Sequence, residues 1–413
     1  VATYDLAIVG GGIGGAALAA VMARDGYSVL LLEQSEAYVD RVRGEWIAPW
    51  GVTETRRLGL YDLLRSAGGH HVTRHVTYDE SRDPSEAEAR TLPLGIFAEG
   101  VPGPLSLGHP LHCQTLFDAA RKAGADVRRG VQVTSVITGD RPRLTFEHQG
   151  AVVDVGARLL VGADGRASQV REAAGVVLHQ DKPHHWFAGL LVEGAEGWDQ
   201  ELQAIGTERD FGFLAFPQGG GRVRIYGGYA LSEPRRFKGP DAARKFLDAF
   251  AMQCSPHSRH LVAGAPAGPL YSYVNADAWT DEPYAPGVVL VGDAAGWNDP
   301  IVGLGLSITY RDVRLVSDLL KSTDRWGIDT LHPYGEERAE RMRRLRFAAS
   351  IQSALDMEFG QAARDRRRRH FERSAADPTL GIHGVAVMAG PEAAPAEFFT
   401  EDHRARVLGP AET

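Results

Sequence analysis

Three glycine-bearing loops carry the residues of this chain best suited to chemistry. The first, Gly10-Gly11-Gly12-Ile13-Gly14-Gly15, fits the pattern G-x-G-x-x-G. Glycines at Gly10, Gly12 and Gly15 allow a tight turn, close backbone approach to a pyrophosphate, and close helix–strand packing. Ile13 and Gly14 open a helix whose unpaired amides and positive end favour phosphate oxygens. Glu33 closes the next strand, where its carboxylate can accept hydrogen bonds from a ribose. Strand, loop, helix, strand and acid together point to a bound dinucleotide. They do not say which one.

The other two loops do. Gly162-Ala163-Asp164-Gly165-Arg166-Ala167-Ser168 and Gly292-Asp293-Ala294-Ala295, the latter followed by Pro300, Gly303 and Gly305, each follow a short apolar run. FAD is long. One βαβ unit holds its ADP half, so a second acid must come from a distant strand to meet the ribityl chain, and Asp293 is placed for that. Glycines Gly303 and Gly305 would let backbone N–H groups approach the pyrimidine edge of the flavin, where the reduced ring carries negative charge. In order and spacing the three loops resemble those of the para-hydroxybenzoate hydroxylase-like family, the single-component (class A) flavin-dependent aromatic hydroxylases, over about residues 1–330.

That resemblance implies non-covalently bound FAD, NAD(P)H as co-substrate, and O2. It implies hydroxylation of a phenol-like or polycyclic aromatic molecule through a flavin C4a-hydroperoxide, with most of the chemistry belonging to the cofactor. It also implies an arginine facing the cofactor, Arg41 or Arg43, with Arg43 favoured because it precedes a glycine. Val133 should offer backbone groups to the adenine, and Asp164 and Gly165 belong to the second fingerprint. Where many members have an arginine or glutamine, Cys113 takes the place, or Gln114 substitutes from one residue away. Gly296 replaces the family's usual histidine and Ser307 lies near its usual asparagine. Those departures lean toward flavin-dependent halogenases and the geranylgeranyl-reductase group, so a double-bond reductase or a halogenase is the alternative, and a non-catalytic flavin sensor a further one. Residues 40–85 contain no lysine and no W-x-W segment, which counts against halogenation.

No acid–base residue is singled out. The pocket candidates are Trp46, Pro49, Phe213, Tyr226 and Pro300. Trp46, Pro49 and Trp50 either flank the flavin ring or pack the following helix. Phe211, Phe213, Phe216 and Tyr226 lie on strands, where alternation turns about half away from any pocket. The pairs His70-His71 and His184-His185, with Trp186, are either polar substrate contacts or solvated turns, and Glu45 reads as a surface or supporting carboxylate. Arg366-Arg367-Arg368-Arg369 reads as a solvated helix face or a docking point for an acidic neighbour. No H-e-x-x-H or Cys-x-x-Cys pattern suggests a metal.

The elements that must position these loops form an α/β fold. It comprises an FAD-binding Rossmann-like domain of the glutathione-reductase-2 type, an inserted mixed but mostly antiparallel sheet for the substrate, and a C-terminal helical tail. The expected bounds are 1–75, 105–183 and 276–330 for the first, 76–104 and 184–275 for the second, and 331–413 for the third. Residues 50–70 read as helical. In the tail, residues 335–373 place Met342, Leu345, Ala349, Leu355 and Phe359 roughly on one helical face.

Bulk properties narrow the rest. A formal charge of −8 and a pI near 6.0 argue against nucleic acid. Two cysteines are too few for a disulfide framework and suit a reducing cytoplasm. The apolar stretch at 16–22 is too short to span a bilayer, so stable membrane insertion is not expected. A monomer or homodimer is expected.

Overall fold

A computed structural model describes residues 2–409. Strand β1 (Ala2–Val9), helix α1 (Ile13–Arg24) and strand β2 (Val29–Glu33) form the expected βαβ unit. The apolar runs of both strands are buried, as a parallel strand covered on both faces requires. The alanines of α1 pack closely against that sheet.

The register of the sheet decides where the loops go. Val9 pairs in parallel with Leu32 on one side and Gly162 on the other, and Gly162 pairs in parallel with Leu290. Four strand ends therefore come level, and Gly10, Glu33, Ala163-Asp164 and Gly292-Asp293 leave the same edge. Open α/β sheets bind ligands outside such carboxyl ends. The first two loops even touch: a Cβ on Gly10 would lie 2.2 Å from the Ala163 carbonyl oxygen, and Gly10 has a φ of +102°. A Cβ on Gly15 would lie 1.9 Å from the Gly10 oxygen, so Gly15 serves the packing of α1 on β1.

A second eight-stranded sheet lies apart from the first. Its centre is an antiparallel run of Leu202–Glu208, Phe211–Gly219, Arg222–Tyr229 and His185–Glu193. Arg74–Asp79 joins its edge in parallel to Leu202–Glu208, a strand with an internal glycine that the sequence reading passed over. One face packs on Phe246 and Phe250 through Phe211, Phe213, Ala215, Val223 and Ile225. The opposite face presents Phe187, Leu214, Phe216 and Tyr226 toward Trp46 and the segment after Pro300.

The helical stretch expected at 50–70 is two helices, Pro49–Arg57 and Tyr61–Ser66. The tail is likewise not one stripe. A 29-residue helix, Ile328–Asp356, buries Met342, Leu345, Ala349 and Leu355. Gly360 then takes a φ of +93°, outside the helical region, before Gln361–Ser374 begins. Phe359 falls in that break and leaves the stripe. The arginine run divides between its two readings: Arg368 and Arg369 are exposed, whereas Arg367 is buried against Asp79, Arg366 meets Glu358, and Arg364 just ahead of the run holds Glu80. Among the described residues, no helix is long and apolar enough to cross a membrane.

Candidate cofactor and substrate cavity

The loops at the sheet edge and the inner face of the second sheet enclose one cavity of about 710 Å³. From the first loop Gly10, Gly12, Ile13 and Gly14 line it, with Glu33 beside them. The N-terminus of α1 has no side-chain cap and no acidic residue in its first turn, so its amides open toward the cavity. Glu33 accepts from the Gly11 amide (2.8 Å) and the Ser35 amide (2.7 Å). Each carboxylate oxygen keeps a second lone pair for a sugar hydroxyl. Val133 lies on the wall nearby.

Farther along, Arg41, Arg43, Cys113, Asp164, Gly165, Asp293, Pro300, Gly303 and Gly305 line the same cavity. Cys113 faces in, whereas Gln114 turns away to Asp118 and Arg129. Burial pushes the Cys113 thiol up to about 12, so at neutral pH it is an uncharged apolar wall. Asp164 spends its oxygens on Ser168 Oγ and the Val170 amide and so shapes its own loop. Asp293 opens a short 3-10 turn, Gly292–Ala295, rather than an α-helix, and its carboxylate pairs with Arg166 at 3.3 Å. The α-helix that follows, Gly305–Ser322, starts without a side-chain cap and aims a second set of free amides into the cavity. Two uncapped helix N-termini, a carboxylate at each end and a glycine-lined groove fit an FAD.

The pocket candidates divide. Trp46, Tyr226 and Pro300 line the cavity, while Phe213 points into the core behind the sheet and Pro49 is buried at a helix start. Strand parity explains Phe213: it alternates with Leu214 and Phe216, which do line the cavity. Trp50 also packs elsewhere, its indole N–H donating to the Val387 carbonyl. His70 and His71 bond to loop carbonyls away from the cavity. His184 and His185 close a ring of hydrogen bonds with Asn275 and Asp299. Their ligand atoms lie within 4.8 Å of one another, a spacing a metal could also use, but each already has a partner in the ring. Asp299 caps the Pro300–Val302 turn through the Ile301 amide.

Sequence reasoning missed several wall residues. Of the two readings of Glu45 the supporting one holds: it is buried and chelates the buried Arg224 guanidinium, the wall residue that was missed, which also reaches Asp40 at 2.7 Å. Arg224 stands two residues before Tyr226, so the same alternation points to it. His109, Ser106, Gln218 and Asn298 also line the cavity, without a motif to announce them. Behind the wall, buried Arg338 of helix Ile328–Asp356 donates to the carbonyls of Gly292, Ala295 and Gly296 and to Asp312.

The sequence profile of the FAD binding domain matches residues 3–348. The chain belongs to that FAD binding domain family. Within the family, it is 29% identical over 333 residues to aklavinone 12-hydroxylase DnrF of Streptomyces peucetius subsp. caesius, a match covering 73% of this chain and 64% of that enzyme. The chain thus spans less than two thirds of that relative's length. It is 27% identical over 368 residues to 3-demethoxyubiquinol 3-hydroxylase of Escherichia coli (strain K12), covering 86% of this chain and 88% of that one. Among solved structures, p-nitrophenol 4-monooxygenase PnpA from Pseudomonas putida DLL-E4 shares the fold, with a TM-score of 0.76 at 17% identity and 100% of each chain covered.

Proposed function

We propose that this chain is an FAD-dependent monooxygenase that uses NAD(P)H and O2 to hydroxylate an aromatic small molecule, phenol-like or polycyclic. One observation supports this most: the groove suited to FAD runs without a break into a chamber walled by Trp46, Phe187, Phe216 and Tyr226. A flat apolar substrate would lie there against the reactive edge of the ring system.

Bound non-covalently in the groove, FAD would supply the oxygen-transfer chemistry. The chain's part is to hold and shield. The α1 amides would take the diphosphate, Glu33 the ribose, Val133 the adenine and Asp293 a ribityl hydroxyl. The N-terminus of Gly305–Ser322, with Gly303 and Gly305, would face the pyrimidine edge and favour negative charge there. Arg43 and Arg41 would close the cofactor side, and Cys113 would pack against it. The aromatic wall would exclude water from the reacting atoms. NAD(P)H would dock transiently, since neither sheet offers a second glycine fingerprint. The relatives named above as hydroxylases support the same reading. A reducing cytoplasm suits two buried free thiols, Cys113 and Cys254, and the chain would act as a monomer or homodimer.

The test is a screen of phenols and polycyclic aromatics for compounds that speed NAD(P)H oxidation, run under 18O2. A product heavier by one labelled oxygen supports hydroxylation. A reduced product with no label indicates a double-bond reductase instead.

A further inference from the structure

Trp46 stands where the loop after Pro300 meets the second sheet. Its ring lines the cavity, a Cβ on Gly303 would lie 3.1 Å from it, and the Phe216 ring lies 5.8 Å away. Its backbone is held in a two-residue strand against Ser106. The indole borders open space, so something must keep it from turning into the cavity.

The indole N–H supplies that restraint. It donates to Gln203 Oε1 at 2.9 Å, and both residues are buried. Gln203 Nε2 meets His75 Nδ1 at 3.1 Å, and His75 Nε2 meets Thr77 Oγ1 at 3.0 Å. Register sets Gln203 directly beside His75 on the neighbouring parallel strand. An indole N–H can only donate. Gln203 must therefore turn its oxygen toward Trp46 and its amide hydrogens toward His75. His75 Nδ1 must then accept, so the ring proton is on Nε2 and points to Thr77. Only an uncharged His75 completes this chain. Burial pushes its imidazole down to about 4, so at neutral pH it is uncharged.

Gln203 is out of keeping with its surroundings. Ile205, two residues on, shares its face and pairs with Leu214, and both pack with Trp46 and Phe216. A leucine at 203 would suit that face, whereas a buried amide is costly unless both of its polar atoms are paired. Both pairings here serve Trp46: one holds the indole and the other orients the amide.

Resting on the hydroxylase reading above, we propose that Gln203 and His75 are positioning residues. They latch the Trp46 indole as a fixed wall of the substrate chamber, and so set which ring systems the chamber accepts.

The test reads the latch without a substrate. In FAD-loaded protein labelled with 15N-tryptophan, the seven tryptophans give seven indole N–H signals, and Trp46→Phe identifies the one from Trp46. The other six show that each variant is folded. Gln203→Leu should speed exchange of the Trp46 indole proton with D2O about 10-fold or more. His75→Leu strands the amide nitrogen and should speed it about 3-fold or more. Gln203→Glu keeps an acceptor for the indole, with His75 Nδ1 now donating and Nε2 accepting from Thr77, so exchange should stay within about 3-fold of wild type. In the screen of phenols and polycyclic aromatics, Gln203→Leu should change the ratio of rates between the best monocyclic and the best polycyclic compound roughly 5-fold or more, and Gln203→Glu should restore it. Unchanged exchange in either leucine variant, or a glutamate variant as altered as Gln203→Leu, would overturn the latch. An unchanged rate ratio in a Gln203→Leu protein whose indole is free would overturn its role in selection. Failure of the hydroxylase reading looks different: indole exchange would respond as described, yet no labelled oxygen would enter any product.

Discussion

Arg338 is the side chain that ties the C-terminal helical region to the Gly292–Ala295 turn, and replacing it with methionine tests that link. Methionine keeps most of the stem's packing but removes every polar contact. Those are Nε to Asp312 Oδ2 at 3.1 Å, Nη1 to the Ala295 carbonyl at 2.8 Å, and Nη2 to the Gly292 and Gly296 carbonyls at 3.3 and 3.1 Å. Breaking a buried ion pair costs on the order of 3–5 kcal/mol, mainly through the charge left behind. Here Asp312 keeps Arg341 at 2.7 Å and the Gly292 amide at 2.9 Å. The expected loss is therefore near the lower end, about 3 kcal/mol. That is a large share of a net stability of roughly 5–15 kcal/mol. The freed turn carries Asp293, so loosening one hydrogen bond to the cofactor should weaken FAD binding about 10-fold. Thermal melts of the apoprotein and fluorescence titration with FAD read the two effects separately. Arg343→Met is the control on the same helix: its pair with Glu340 is half exposed and should contribute about 0–1 kcal/mol. If Arg338→Met melts with the wild type, the burial argument is wrong. If it melts lower but holds FAD as tightly, something other than Arg338 sets the turn.

Two further outcomes are expected. Asp293→Ala should fold and purify largely without flavin, a loss on the order of 1–3 kcal/mol in FAD binding, while Asp293→Asn keeps an acceptor and should be milder; full flavin occupancy in the alanine variant would remove Asp293 from the cofactor site. Burial pushes the Asp299 carboxyl up to about 7, with Asp277, itself raised to about 6 by burial, adding to it. A raised carboxyl favours the folded state while protonated, so this contribution should be lost as pH rises from about 4 to about 7. Melting temperatures of wild type and Asp299→Asn, taken across that range, should diverge accordingly, because His184, His185, Asp277 and Arg166 are common to both. A constant difference would mean Asp299 does not titrate there.

How much was legible in the sequence follows from the range of each interaction. The glycine loops and Glu33 act through backbone geometry set within a few residues, so their chemistry could be read locally, and parallel register then brought them to one sheet edge. Strand walls were half legible: period two says that Phe213 and Phe216 face opposite ways, but not which one faces the cavity. That choice is made by Phe246 and Phe250, which close over the Phe213 side. Long-range pairs were not legible. Arg224 meets Glu45 across 179 positions, and Arg367 meets Asp79 across 288. Nothing in an arginine's type distinguishes a buried clamp from a solvated surface, which is why Glu45 and the arginine run each kept two readings and neither partner could be named.

The same distances bear on how the site is built. The two loops that would meet the far end of the cofactor, after Pro300 and at Gly292–Asp293, are secured from opposite directions. Asp299 fastens the first to the second sheet through Asn275 and His185, and Arg338 fastens the second to the C-terminal helix. Neither Asp299 nor Arg338 lines the cavity itself, yet both fix backbone whose placement matters to a fraction of an ångström for the chemistry proposed. Substitutions in these anchors should therefore change flavin retention before they change substrate preference.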